Sequence, residues 1–550
     1  MSNASLKHVW ILIAFCGFLF LAGNNAVPLT NPDEVFYSLT AREMSAKGDW
    51  LTPYIFNQPQ FEKPVLIFWL LNTAVGLFGP TPFAARFFPA VFAMLGVLGV
   101  YALGFLGFRD ERRAFWSALA LAGAAFYFAM AKTVFTDMVF AVFILYGLLC
   151  FYIAFDRPAR KKEGILGFYF FAALAVLTKG PLGLLVPGLV VLLFLMYRGQ
   201  MRWLRDRWVI FGFFLCLALA MPWYVWMTVK YGNAFIHEFF INDHWRRWIE
   251  AEHKSNDRWF FYPVTMLAGM FPWTPFVAIG LAGLYRRLRA GAVVFDYFLV
   301  SWVVAVFIVF QCAHSKLASY VLPVFPALAL IAGNAVAGYL ADQDRQGVMK
   351  KILLAMAALP ALLGVALVAL KHVTQAYLPS PLPAYFLSAL LITWGGVIAV
   401  LTLKGRTKEA LSVLAAIGTP FLAGMLLVSH DMTPYISSYS AAQYVPHDNV
   451  VKTTLLCGKP QARGLRYYTG QDIAVMDING SNYFSPHPIP ILNTLDKVRE
   501  FLRGQKRTYA VLKKGAYAQI RSLDQGRFRT TLLGHCGADY ILTIEYLGNT

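Results

Sequence analysis

Asn31-Pro-Asp-Glu-Val-Phe-Tyr-Ser-Leu-Thr-Ala-Arg-Glu-Met44 comes shortly after the apolar run Val9 to Gly23 and sets two adjacent carboxylates, Asp33 and Glu34, at the edge of a hydrophobic segment. Ionised side chains are costly beside hydrocarbon and mark function when they gather there. A third carboxylate, Glu62, follows in Phe61-Glu-Lys-Pro64. The rest of the chain repeats the apolar character of the first run. Of its 550 residues 58% are hydrophobic, 16% aromatic and only 14% charged, which excludes an ordinary soluble enzyme. Apolar windows long enough for a helix to cross the hydrocarbon core, about 17 to 25 residues, begin near Val9, Phe83, Ala114, Val134, Ile165, Leu182, Val209, Phe261, Val293, Leu317, Ile352, Tyr385 and Leu411. The expected fold is a polytopic α-helical membrane protein of about thirteen transmembrane helices.

The net charge of +19 is a topology signal more than a binding surface. Arg109, Arg112 and Arg113, then Arg157 to Lys162, Arg198 to Arg207, Arg286 to Arg289, Arg345 to Lys351 and Lys404 to Lys408 fall in every second loop. Such loops face the cytoplasm. The alternate short loops carry about one cation each, namely Lys132, Lys179, Lys316 and Lys371. Nucleic acid is therefore not an expected partner. An odd number of spans places the N-terminus inside and the C-terminal segment outside. The first run lacks a convincing small-x-small cleavage site and reads as a span.

Residues 1–430 are expected to form the membrane domain, and 431–550 a soluble α/β domain. In the latter, apolar runs shorten to strand length at Val450 to Cys457, Ile473 to Asp477, Thr508 to Lys513 and Tyr540 to Tyr546, with helix-like Leu495 to Gly504 among them. Cys16, Cys150, Cys216 and Cys312 lie in apolar runs as small hydrophobes. Cys457 and Cys536 alone occupy the outward segment, where an oxidising compartment permits a disulfide but sequence does not decide the geometry.

Two long outward loops, near 24–82 and 230–260, hold the candidate chemistry. In the first, Asn31 is placed to cap a helix with Pro32 at its first position and Glu34 at its third, so acids at a helix start offer a purely structural reading of the motif. The company they keep argues otherwise: Tyr37, Arg42-Glu-Met44, Gly48-Asp-Trp50 and Glu62-Lys-Pro64 follow in the same loop. In the second loop, Arg246, Arg247 and Arg258 lie among aromatics as phosphate-binding or snorkelling cations. His237, Asp243, His244 and His253 share that loop, and Glu62 with His244 is a candidate divalent-metal pair, zinc being one choice, against the reading of interfacial histidines. No cofactor is certain. Lys316 and Tyr320, four residues apart, would share a helix face and could grip a phosphate together.

The first-loop run, Thr136-Asp137, Tyr262-Pro263, Phe271-Pro-Trp273 and His314-Ser-Lys-Leu-Ala-Ser-Tyr-Val-Leu-Pro323 together resemble the GT-C glycosyltransferases that use polyprenyl-phosphate sugars. They are most similar to the ArnT type, the aminoarabinose transferases of glycosyltransferase family 83, with protein O-mannosyltransferases as broader relatives. One position departs from that pattern, Val65 standing after Pro64 where a second proline is common. The resemblance implies a GT-C fold in a bacterial inner membrane, with the site and the C-terminal domain periplasmic. It implies inverting transfer of 4-amino-4-deoxy-L-arabinose from undecaprenyl phosphate to lipid A, which lowers attraction for cationic peptides such as polymyxin. Asp33, Glu62 and Asp137 are the expected catalytic residues; Glu34, Tyr37, Lys63, Arg246, Arg247, Arg258, Lys316 and Tyr320 are the expected substrate-binding ones. A monomer is expected. The competing readings are a relative with another sugar or acceptor, including a protein hydroxyl, and a polytopic transporter, which would bury its ionisable residues in mid-span.

Overall fold

The computed structural model describes residues 3–548 apart from 253, 292, 370–379, 447–452, 479, 481–488 and 524–525. His253, Lys371 and the start of the strand expected from Val450 lie outside the described residues. Among those described, eight helices are long and apolar enough to cross a membrane, or up to ten with two bent pairs, Glu111–Ala122 with Ala125–Ala131 and Phe261–Gly269 with Thr274–Ala290. The larger number read from sequence counted apolar windows that fold as shorter or more charged helices: Ser5–Leu21, Lys161–Lys179 and Leu182–Tyr197. Burial within the protein varies widely along these helices. Thr136–Asp156 is 78% buried over its most apolar window, whereas Gln346–Ala369 and Leu382–Leu403 pack chiefly on each other and leave most of their surface facing outward.

The first long loop is ordered. It contains the helix Asp33–Ala46, a two-stranded hairpin pairing Tyr54–Ile55 with Gln58–Pro59, and the apolar helix Leu66–Phe78. The expected capping box at Asn31 is not formed. Pro32 occupies the cap without a side-chain bond, Asn31 Nδ2 donates instead to Ser438 Oγ at 2.7 Å, and Glu34 accepts from the Thr30 backbone N–H and hydroxyl. The second long loop folds into the helix Asn233–Ile236, a ten-residue π-helix His237–Arg246 and a final turn Arg247–Ile249. A π-helix is less favourable than an α-helix and persists where a site needs its side chains re-aimed.

Beyond Ile436 the chain forms a six-stranded mixed sheet. Across it run Ile491–Leu492, Ile473–Met476, Leu455–Cys457, Arg507–Lys513, Asp539–Tyr546 and Phe528–Cys536, parallel through the first four and antiparallel at the last two. Alternate residues serve opposite faces. Cys457, Ile473, Val475, Val511 and Ile541 join the main core shared with the membrane helices, while Leu456, Ala474, Ala510, Leu512 and Leu542 form a second core on the other face. Cys457 and Cys536 are both free and buried. They stand on strands separated by two others, and at about 4.8 Å per strand that gap exceeds the reach of a disulfide.

The helix Lys459–Thr469 docks this region onto the first loop. Arg466 pairs with Glu43 at 3.2 Å and with Asp472 at 2.9 Å, and Arg42 donates to the carbonyl oxygens of Tyr467 and Arg466. Gly464 makes the approach possible: a Cβ there would come 2.2 Å from Asn31 Oδ1 and 2.6 Å from Ser438 Oγ.

Candidate active site

Glu34 and Asp33 are neighbours with opposite fates, because adjacent residues of a helix point about 100° apart. Glu34 is 1% exposed and turned inward, where Arg86 meets both its oxygens at 2.8 and 2.5 Å and the Val134 N–H donates to it at 3.2 Å. This buried pair ties the loop helix to the span Pro82–Phe108. Asp33, Phe36 and Tyr37, spaced as one helix face, consequently line a cavity of about 660 Å³.

The π-helix and the hairpin's exit supply the opposing wall. Asp243 receives Lys63 at 3.0 Å and Arg247 at 2.8 Å, and Arg247 also reaches Glu252 at 3.5 Å. Asp137, at the first turn of Thr136–Asp156, is ion-paired with Lys179, whose ammonium stands 4.4 Å from the centre of the Tyr320 ring. Among the described residues, five carboxylates and four Lys or Arg side chains line the cavity, one of them Arg463 from the helix Lys459–Thr469.

The surroundings bias these groups in different directions. Asp33 opens onto the cavity, yet the protein walls around it and the charges of Glu62 and Glu252 raise its pKa, while Arg463 and Lys63 oppose them. Burial would also push Asp243 up, but Lys63 and Arg247 hold it down to about 2, so it stays a carboxylate. Arg247 loses hydration on burial and is nevertheless held firmly charged by Asp243. His244 is lowered by burial and remains neutral. Its Nδ1 lies 2.7 Å from the Phe239 carbonyl oxygen, and a Cβ on Gly180 would come 2.6 Å from its Nε2. Among the described residues, no three His, Cys, Asp or Glu side chains converge as metal ligands. Glu62 and His244 both line the cavity, but among the described residues no third such side chain joins them in a metal-holding group.

Of the residues expected from sequence, Asp33, Glu62, Asp137, Tyr37, Lys63, Arg247, Tyr320 and His244 meet at the cavity. The others lie elsewhere. Glu34 is bound to Arg86, Arg246 points outward beside Glu250 at 2.8 Å, and Arg258 is exposed next to the Phe260 ring. Lys316 joins Asp257 at 2.5 Å, with His314 on the same carboxylate at 2.8 Å. Lys316 and Tyr320 part company because Tyr320 lies in a 3₁₀ segment, Ala318–Val324, that begins after Lys316, so α-helical spacing does not apply. Two charged lining residues, Glu252 and Arg463, are not singled out by the sequence. Glu252 carries no motif of its own, and Arg463 sits in a polar helix whose buried face is rich in charge, Arg463 and Arg466 included, and so resembles a solvated one.

Comparison with known proteins agrees with this architecture. Residues 62–226 match the family model described as dolichyl-phosphate-mannose-protein mannosyltransferase. The chain is 28% identical over 424 residues, 74% of each chain, to the undecaprenyl phosphate-alpha-4-amino-4-deoxy-L-arabinose arabinosyl transferase 2 of Proteus mirabilis. It is 30% identical over 330 residues, 58% of each chain, to the corresponding transferase of Yersinia enterocolitica. The crystal structure of ArnT from Cupriavidus metallidurans bound to undecaprenyl phosphate superposes with a TM-score of 0.79 over 97% of both chains at 21% identity. On this fold and these relatives, the chain is a multi-pass membrane protein with the GT-C fold of ArnT, similar to glycosyltransferases that take their sugar from undecaprenyl phosphate.

Proposed function

We propose that this enzyme moves 4-amino-4-deoxy-L-arabinose from undecaprenyl phosphate to a phosphate of lipid A at the periplasmic face of a bacterial inner membrane. The names of the Proteus and Yersinia relatives supply the sugar and its carrier; the bias of cations toward alternate loops supports the orientation. Residues 1–430 act as the membrane part and 431–550 as the periplasmic part. The observation that carries the reading is the convergence of Lys63 and Arg247 on Asp243 beside the carboxylates Asp33 and Glu62.

A polyprenyl phosphate leaves as a stable anion, so the site needs fixed cations more than a general acid. Lys63 and Arg247 are held in place by Asp243 and receive that charge as the bond between the anomeric carbon and the phosphate oxygen breaks. The acceptor phosphate oxygen forms the new bond to the anomeric carbon. It is anionic beforehand, so no proton need be removed, and Asp33 serves to orient the sugar and pair with its ammonium, with Glu62 beside it. An acid-rich wall discriminates against neutral sugars, which would leave those carboxylates unpaired. Asp137, tied to Lys179, shapes the wall. The product carries an ammonium over a phosphate, which weakens attraction for cationic peptides such as polymyxin.

The decisive experiment is mass spectrometry of lipid A from a host that makes the donor but lacks its own transferase. The intact chain should add the aminoarabinose mass, and Asp33→Ala at equal abundance should lose it. Near-normal turnover by Asp33→Asn would eliminate both general-base catalysis and the ion pair of Asp33 with the sugar's ammonium, and lack of modification by the intact chain would defeat the lipid A reading. The mannosyltransferase family match over residues 62–226 favours protein hydroxyls as the next acceptor to try.

A further inference from the structure

The C-terminal region contributes a charged side chain to the cavity, and its position is specified on three sides. Arg463 is 5% exposed, lies with its guanidinium 4.6 Å from the centre of the Phe36 ring and lines the cavity next to Asp33. Phe36 is itself on the cavity face of the loop helix, so the cation–π contact holds the guanidinium against that wall. The helix that carries Arg463 is registered by Arg466 on Glu43 and by Gly464 against Asn31, one residue from Arg463 and two from Asp33 in their respective segments.

A transfer between two phosphates brings two anionic groups to one anomeric carbon, the one that leaves and the one that attacks. Lys63 and Arg247, gathered on Asp243 by the π-helix, are a pair suited to one of them. Arg463 arrives from a different element and borders Asp33 instead. We propose that Arg463 binds the anionic phosphate of the acceptor and sets its oxygen in line with the sugar's anomeric carbon. This rests on the transfer reading given above. In the step itself one carbon–oxygen bond forms to the acceptor phosphate, one breaks to undecaprenyl phosphate, and the bonding pair leaves with the carrier; no proton changes hands. A planar guanidinium suits this task, since it offers paired donors to phosphate oxygens where an ammonium gives a point charge.

The test uses the full chain in lipid nanodiscs, with initial rates measured against lipid A at saturating donor and against donor at saturating lipid A. Binding of undecaprenyl phosphate is measured separately. Arg463→Gln should raise the KM for lipid A by about tenfold or more, as expected for a lost charge-assisted contact. Arg463→Lys should recover part of it. Donor KM and undecaprenyl phosphate affinity should change by less than about twofold in both. An unchanged lipid A KM overturns the proposal, and so does joint loss of donor and acceptor binding in both variants, which would mark Arg463 as a prop for the wall. A fall in kcat alone also overturns it. If the unsubstituted chain leaves lipid A unmodified, the transfer reading fails and takes this inference with it; if it modifies lipid A and only the Arg463 result is negative, the transfer reading stands.

Discussion

Glu34 and Asp33 differ by one position and by their whole role, and the difference makes separate predictions. Removing the Glu34 charge leaves Arg86 buried and unpaired, so Glu34→Gln should destabilise the fold by about 3–5 kcal/mol, seen as a lower thermal midpoint in detergent whether or not substrate is present. Asp33→Asn should leave that midpoint nearly unchanged. Because burial and Glu62 raise the Asp33 pKa, the acid limb of kcat/KM against pH should lie above the usual carboxylate range. The sign follows from charge: the ionised form is the useful one, and it is lost earlier as pH falls. Glu62→Gln removes a like charge and should move that limb to lower pH, even though the rate itself drops; an unmoved limb would mean another group titrates there. Sequence singled out both acids because they sit at the edge of an apolar run. It could not tell which one faces the cavity, since that depends on Arg86, fifty-two positions away in the chain.

At the scale of elements, the site depends on segments that do not follow the usual periods. The π-helix His237–Arg246 aims Asp243 and His244 into the cavity while Arg246 looks outward, and the 3₁₀ stretch Ala318–Val324 separates Tyr320 from Lys316. Reasoning from α-helical spacing grouped the last two and gave all the loop arginines equal standing. Apolar windows, by contrast, located the spans well, because hydrophobic length is a local property. The helix Lys459–Thr469 was harder to see: its buried face is charged and its partners, Glu43 and Asn31, belong to the first loop. Gly464→Val should therefore undock it, since the added carbons meet Asn31 and Ser438. Limited proteolysis should then cleave between the last span and the sheet much faster than in the unsubstituted chain, with unchanged cleavage showing that the contact tolerates bulk.

For the whole molecule, two cores meet at one sheet. One face of the strands merges with the membrane helices and the other closes a core of its own. Strand-length runs made the C-terminal sheet legible, but how that region relates to the cavity was not, because contacts between distant segments leave no periodic trace. Lys459–Thr469 borders the cavity, and it lies C-terminal to all the apolar helices long enough to span. This gives the enzyme a clock. With chain growth at about 5–20 residues per second, the helix Lys459–Thr469 follows Lys63 out of the ribosome by roughly 20–80 s. Until that helix docks, the cavity lacks the side that carries Arg463.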